Sequence, residues 1–259
     1  MNEPEQHRPA VLVTGAAKRI GAEIARHFGT KGWHVVVHFH QSARAADALA
    51  ASLPSAETVH CDLTDSEAAV GMIDDLAARL PDWRVLINSA SIFRPDDVRA
   101  LDPSIWSRAM QVNALAPARM AQAFLAGARA RGGRRVIQIT DQKLANPNPD
   151  FFSYTMSKHA AAATVPMLAM GAARAEDRVY ALAPGAILAS HDQSEAETEV
   201  SHRLNLLQRK TGADEIARAC LWLAQGWLAS GETLYVDSGQ HLLSQPRDVI
   251  YLAREGAAG

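Results

Sequence analysis

Cysteine is scarce in this 259-residue chain: Cys61 and Cys220 are the only two, far apart and without the paired spacing of a metal site. Neither a disulfide framework nor a zinc site is expected, and reduced thiols in a cytoplasmic protein are. Surplus charge is missing too. Lys and Arg number 26 against 28 Asp and Glu, a net charge of -2 with a pI near 6.5. That balance gives no electrostatic reason to expect nucleic acid or an anionic membrane as a partner. The small basic cluster Arg129, Arg131, Arg134 and Arg135 reads as helix ends and loops. The ten histidines are scattered, so no metal is expected. No stretch approaches the roughly 18 uninterrupted apolar residues of a membrane span. The polar start from Met1 to Pro9 has no apolar run behind it, which argues against a secretory signal. Repeats, low-complexity tracts and linkers are also lacking, so one domain over residues 1–259 is expected.

Apolar residues, by contrast, make up 48% of the chain, enough for a substantial core. They fall in short β-branched runs alternating with longer Ala-rich amphipathic segments, the pattern of βαβ units and a parallel sheet. Strands are predicted over residues 10–14, 34–39, 58–61, 84–87, 135–140, 179–183 and 233–236. Several are apolar on successive residues, as strands covered on both faces should be. Helices are predicted over 19–31, 43–52, 66–79, 105–130, 152–174 and 213–224. The expected fold is α/β: a single Rossmann-type, doubly wound parallel sheet of about seven strands with helices on both faces. The one long irregular stretch, residues 188–210, is polar and charged and reads as a lid over a site.

The first predicted strand runs into Thr14-Gly15-Ala16-Ala17-Lys18-Arg19-Ile20-Gly21 and then a helix. Gly15 permits the tight turn there and Gly21 the close approach of helix to strand, so a pyrophosphate can rest on the free N–H groups of the helix start. Gly15, Lys18, Arg19 and Ile20 are therefore candidate dinucleotide contacts. The second strand ends His38-Phe39-His40-Gln41-Ser42, without the Asp or Glu that usually binds the ribose 2′-hydroxyl of NAD. An acid would repel a 2′-phosphate, whereas His38, His40, Ser42 and the nearby Lys18 or Arg44 can receive one. NADPH is expected over NADH. Asp62, with Leu63 beside it, either meets the adenine amino group or is the helix cap of the Asp62-Leu63-Thr64-Asp65 run.

Tyr154-Thr155-Met156-Ser157-Lys158 sets a phenol and an ammonium four residues apart on one face of a helix. A cation there favours the phenolate, so the tyrosine pKa is expected to fall toward the working pH.

Together with Asn88-Ser89-Ala90 after the fourth strand, Asn113 in the following helix and Pro184-Gly185 after the sixth, these motifs resemble the short-chain dehydrogenase/reductases. The resemblance covers nearly the whole chain in the expected order. It implies that Tyr154 is the acid/base, that Lys158 binds the nicotinamide ribose and tunes the tyrosine, and that Asn113 completes a water-linked proton relay. It assigns Asn88, Ala90, Pro184, Gly185 and Leu188 to the cofactor. It also implies a homotetramer, with the helices after strands four and five and the C-terminal segment between subunits. Most family members have glycine where this chain has Arg19, and serine where it has Asp141, thirteen residues before the tyrosine. Both departures resemble the pteridine reductases and bacterial dihydromonapterin reductases. So does the end of the second strand, with Gln41 in place of an arginine, and so does Ser91-Ile92-Phe93, whose aromatic matches the residue that stacks a pterin ring.

The implied activity is NADPH-dependent reduction of a dihydropterin, with hydride to a ring carbon and a proton to the adjacent nitrogen. A serine hydroxyl suits a carbonyl oxygen; an acid suits the nitrogen of a C=N bond. Asp141 is expected to pass that proton, Arg19 and Ser91 to meet the polar heterocycle, and Phe93 to cover one π-face while nicotinamide covers the other. A carbonyl or 3-oxoacyl reductase is the first alternative, and Asp141 counts against it. A non-catalytic NADP(H)-binding regulatory protein is the second, and an intact Tyr154, Lys158 and Asn113 count against that.

Overall fold

A computed structural model describes residues 7–189 and 193–257. Its strands are β1 (Ala10–Val13), β2 (His34–Phe39), β3 (Ala56–His60), β4 (Trp83–Asn88), β5 (Arg135–Ile139), β6 (Arg178–Pro184) and β7 (Thr233–Val236). The helices are α1 (Arg19–Thr30), α2 (Ala43–Ala51), α3 (Ser66–Arg79), α4 (Pro103–Met110), α5 (Ala116–Gly127), α6 (Phe152–Gly171), α7 (Glu195–Ser201), α8 (Ala213–Leu223) and α9 (Val249–Ala257). The strands form one seven-stranded sheet in the order β3-β2-β1-β4-β5-β6-β7, and every pairing is parallel. This is the doubly wound α/β sheet expected from the sequence.

Side chains alternate across a strand, so an unbroken apolar run feeds two separate cores. On one face Leu12, Val36, Leu86 and Val136 pack with Ile73 and Leu76 of α3 and Met120 and Phe124 of α5. On the other, Val11, Val35, Val85 and Ile137 pack with Ile24 and Phe28 of α1 and Ile216 and Cys220 of α8. Each such side chain contributes about 1.5–3 kcal/mol when fully buried. β1 lies between β2 and β4, so successive units wind away from it in opposite directions. The crevice left at the carboxyl ends of β1 and β4 is where such sheets hold ligands.

Three departures from the expected elements concern the site. The predicted helix over 105–130 starts earlier, at Pro103, where Asp102 caps it by accepting from the N–H groups of Ser104 and Ile105. It is then interrupted by a π turn at Gln111–Leu115, closed by the Ala116 N–H donating to the Gln111 carbonyl. The apolar spacing gives no sign of the turn, because Val112, Ala116, Met120 and Phe124 recur every four residues through it. Residues 188–210 are not irregular throughout. They carry α7, opened by a capping box in which Ser194 and Glu197 each bond the other's backbone N–H; residues 190–192 of the expected lid lie outside the described residues. The C-terminal helix α9 was not anticipated. Asp248 begins it, its carboxylate accepting from Ile250 N–H at 3.1 Å. Among the described residues no helix is long and apolar enough to cross a membrane, and no group of three or more His, Cys, Asp or Glu could hold a metal ion.

Candidate active site

The crevice opens into a cavity of about 590 Å³. One wall is the turn between β1 and α1. Gly15 has φ +65°, and a Cβ there would stand 2.9 Å from the Ala90 Cα, so only glycine lets this turn lie against the end of β4. A Cβ on Gly21 would stand 2.5 Å from the Gly15 carbonyl oxygen, which accounts for the close seating of α1. Thr14 ties the two strand ends together, its hydroxyl oxygen accepting from Ser89 and Ala90 N–H at 2.9 and 3.0 Å. The start of α1 has no side-chain cap and no acid in its first turn, and Lys18, Arg19, Ile20 and Gly21 line the cavity. Unpaired N–H groups at a helix start beside a basic residue make a cradle for a phosphate-bearing group.

Arg19 sits at φ +57°, a conformation that glycine adopts freely and other residues at a cost of order 1–3 kcal/mol. Its guanidinium spans to the opposite rim, donating to the carbonyls of Ala189 at 2.9 Å and Leu188 at 3.4 Å.

The end of β2 needs a correction. His38 lines the cavity, but both ring nitrogens are engaged: Nδ1 accepts from Gly15 N–H at 3.0 Å and Nε2 donates to the Cys61 carbonyl at 3.1 Å. Burial pushes its pKa down to about 4. It is a neutral strut under the glycine turn, not a cationic partner for a 2′-phosphate. Ser42 is not in the wall, whereas Lys18, His40 and Gln41 are. The alternative reading of Asp62 as the cap of α3 is also excluded. Asp65 is the cap, accepting from Glu67 and Ala68 N–H. Asp62 faces the cavity beside Leu63, accepts from Thr64 N–H at 3.0 Å and lies 3.4 Å from His40 Nε2. The Thr64 N–H is the main cause holding its carboxyl below the usual carboxylate range.

At the deep end, α6 and the turn after β5 bring Tyr154, Lys158 and Asp141 together. The Tyr154 hydroxyl donates to Asp141 Oδ2 at 2.6 Å. Lys158 is 2% exposed and donates from Nζ to the Ile139 carbonyl at 2.8 Å. Burial lowers its pKa to about 8. The expected fall in the tyrosine pKa is not found. Burial, and after it the negative charge of Asp141, hold Tyr154 well above the usual phenol value. Burial also raises Asp141, against the pull of Tyr154, Lys143 and Lys158. The pair is thus a phenol and a carboxyl group that resists ionisation, and the proton they share belongs to the pair.

Phe93 lines the cavity and is stacked on Phe151 with centroids 4.1 Å apart, edge-on to Tyr154 at 4.7 Å. One of its faces is already covered by protein. Phe151 itself has φ +54° at the start of α6, so local strain sits beside the tyrosine. Ser91, Pro184, Gly185 and Leu188 complete the expected lining.

Two expected residues stand behind the wall. Asn88 is buried, its amide donating to Gln138 Oε1 and the Pro117 carbonyl; its own Oδ1 has no partner among the described residues. Asn113 is buried in the π turn. Its side chain accepts from Ile92 N–H at 2.8 Å and donates to the Ile92 carbonyl and Ser157 Oγ, each at 2.9 Å. Any relay through Asn113 would therefore use its backbone carbonyl. Pro117 has no N–H to offer that carbonyl from four residues on, which leaves it without its α-helical donor. Sequence reasoning missed the wall contributed by Lys143, His202, Asp248 and Ile250. Asp248 after Pro246 was a readable helix start; the folding of that helix back over the cavity had no local signal.

A family model described as enoyl-(acyl carrier protein) reductase matches residues 15–241. The chain is 29% identical to pteridine reductase 1 of Leishmania tarentolae, over 90% of this chain and 96% of that protein. It is 28% identical to 7alpha-hydroxysteroid dehydrogenase of Escherichia coli (strain K12), over 88% of this chain and 92% of that one. Among solved structures, FolM alternative dihydrofolate reductase 1 from Brucella canis, complexed with NADP, superposes with a TM-score of 0.85 at 31% identity, covering 93% of this chain and 96% of that chain.

Proposed function

The chain belongs to the short-chain dehydrogenase/reductase family, and on that footing we propose that it is an NADPH-dependent pteridine reductase that takes a dihydropterin to the tetrahydro form. One observation carries this reading: the acid facing the Tyr154 hydroxyl at 2.6 Å is the carboxyl of Asp141, in a cavity walled by Phe93. NADPH, when bound, supplies hydride to the ring carbon of the C=N bond. The adjacent nitrogen takes its proton from the Asp141–Tyr154 pair, which refills from solvent, so one hydride and one proton are added per turnover. Lys158 orients the nicotinamide ribose, and Phe93 packs on the open face of the heterocycle, where an aromatic contact adds about 0.5–1.5 kcal/mol beyond simple burial. A ketone would find the Asp141 carboxyl, not a serine hydroxyl, beside Tyr154 for its oxygen, which disfavours carbonyl reduction despite the steroid-acting relative.

Lys18, His40 and Gln41 support the choice of NADPH, since no acid stands at the end of β2 to repel a 2′-phosphate; the NADP-bound Brucella structure supports it independently. The described parts of residues 188–210, 188–189 and 193–210, act as a lid that excludes water from the chemistry, Arg19 holding its start through the Leu188 and Ala189 carbonyls. The enzyme is a homotetramer, a reading supported by the exposed apolar side chains Leu115, Met167 and Met170 along the helices after β4 and β5; light scattering should give four times the chain mass of 27.9 kDa. The functional test is NADPH oxidation across dihydropterins, dihydrofolate and simple ketones. Turnover of a dihydropterin or dihydrofolate with ketones inert is expected; brisk ketone reduction with pterins untouched would overturn the reading.

A further inference from the structure

Lys143 is a buried cation that the proposed reaction does not use. It is 4% exposed, lies two residues after Asp141 and lines the same cavity. Its two polar groups act in different directions. The backbone N–H donates to Asp141 Oδ1 at 2.8 Å, so this residue fixes the carboxyl oxygen that Tyr154 does not hold. The side chain turns the other way, Nζ donating to the Asp150 carbonyl at 2.7 Å and to Asp248 Oδ2 at 3.2 Å. Asp150 lies just before α6, and its carboxylate accepts from the Arg247 guanidinium and from Asp248 N–H. The turn carrying Asp141, the start of the helix carrying Tyr154 and the start of α9 therefore meet at one ammonium group.

We propose that Lys143 is a positioning residue for Asp141, and that the C-terminal segment, through Asp248, sets how much of that cation's charge the catalytic carboxyl feels. This rests on the assignment of proton delivery to Asp141. The groups acting on Asp141 are Lys143 on its own turn and Tyr154 and Lys158 on α6; Asp248 from the C-terminal segment acts on Lys143 directly and on Tyr154 by its charge. Stripped of its cation, the carboxyl holds its proton more tightly. Stripped of Asp248, the cation is less neutralised and the carboxyl releases its proton more readily. The two losses thus move one group in opposite directions, which a merely loosened site cannot do.

The test is a titration of the Asp141 carboxyl by carbon-13 NMR in aspartate-labelled enzyme, with the signal assigned by its loss in Asp141→Asn. Lys143→Met should raise the midpoint by about one pH unit and Asp248→Asn should lower it; no substrate is needed, so this result stands apart from whether pterins are reduced. In turnover, Lys143→Met should cut kcat about 10- to 100-fold with NADPH Kd unchanged, and should have no further effect in the Asp141→Asn background. If Lys143→Met does not fold, the downward shift in Asp248→Asn decides alone. Midpoints that stay put or move the same way in both variants, or a kcat loss that multiplies with that of Asp141→Asn, would overturn the proposal.

Discussion

A half-buried carboxyl and a buried phenol 2.6 Å apart are an unusual pair to find ready for chemistry, because desolvation disfavours the charged form of each. The consequence is a site that stores a proton. Burial and the charge of Asp141 hold Tyr154 well above the usual phenol value, so it keeps its proton in the resting enzyme; in the proposed reaction it passes that proton on and Asp141 replenishes it. Tyr154→Phe should therefore lower kcat by about 10²–10⁴-fold while leaving NADPH affinity, measured by quenching of protein fluorescence, within about twofold of wild type, because the contacts of Lys158 survive. A variant that keeps near wild-type kcat would remove Tyr154 from the proton path. Asp141→Ser separates delivery from binding: pterin kcat should fall with little change in KM, and weak ketone reduction should appear, because a hydroxyl again faces the reacting bond. Pterin reduction left intact by that change would make the carboxyl incidental to catalysis.

The β1–α1 unit shows how an element can be built around a single missing atom. Gly21→Ala would push a methyl against the Gly15 carbonyl, so α1 must shift outward and the cradle at its start opens. Overpacking of this kind typically destabilises by about 1–3 kcal/mol, and NADPH Kd should rise at least tenfold in an otherwise folded enzyme; an unchanged Kd would mean that the helix start does not carry the pyrophosphate. This unit was legible in the sequence because its signals are local: an apolar run, Gly15, then Gly21 six residues on. The Tyr154–Lys158 spacing was legible for the same reason. What escaped reading depends on contacts distant along the chain. His38 looked like an available cation until Gly15 N–H and the Cys61 carbonyl took both its nitrogens, and the tyrosine pKa was read from Lys158 when Asp141 and burial decide it. The π turn was invisible because Val112, Ala116, Met120 and Phe124 keep a spacing of four through it, although Pro117 marked where the regular bonding fails. The capping box at Ser194 was readable, but lay inside a stretch whose polarity suggested a loop.

Over the whole molecule, the strand ends form the floor of the cavity and two short helices add to its wall through Ser201, Val249 and Ile250. α7 lies within the proposed lid and α9 at the chain's end, and Arg254 joins them by donating to Glu197 at 2.8 Å. Ile250 of α9 packs with Phe151 and Tyr154, so α9 touches the helix that carries Tyr154 directly. Hydrogen exchange should therefore slow together in residues 195–201 and 249–257 when NADPH and a dihydropterin are added; protection gained by one helix alone would mean that they do not close as a unit. In the proposed reaction hydride goes to the carbon of the C=N bond, since the residues of the cofactor cradle, the proton-bearing pair and the aromatic wall line one cavity. Isotope tracing tests this most directly: the enzyme is given NADPH deuterated at the transferred position and a dihydropterin in ordinary water, and the product is analysed by NMR and mass spectrometry. The account predicts one deuterium per tetrahydropterin, on the ring carbon of the former C=N bond, with the new nitrogen-bound hydrogen drawn from solvent. A pterin recovered unreduced and without deuterium, while a ketone supplied alongside it carries the label, would contradict the account.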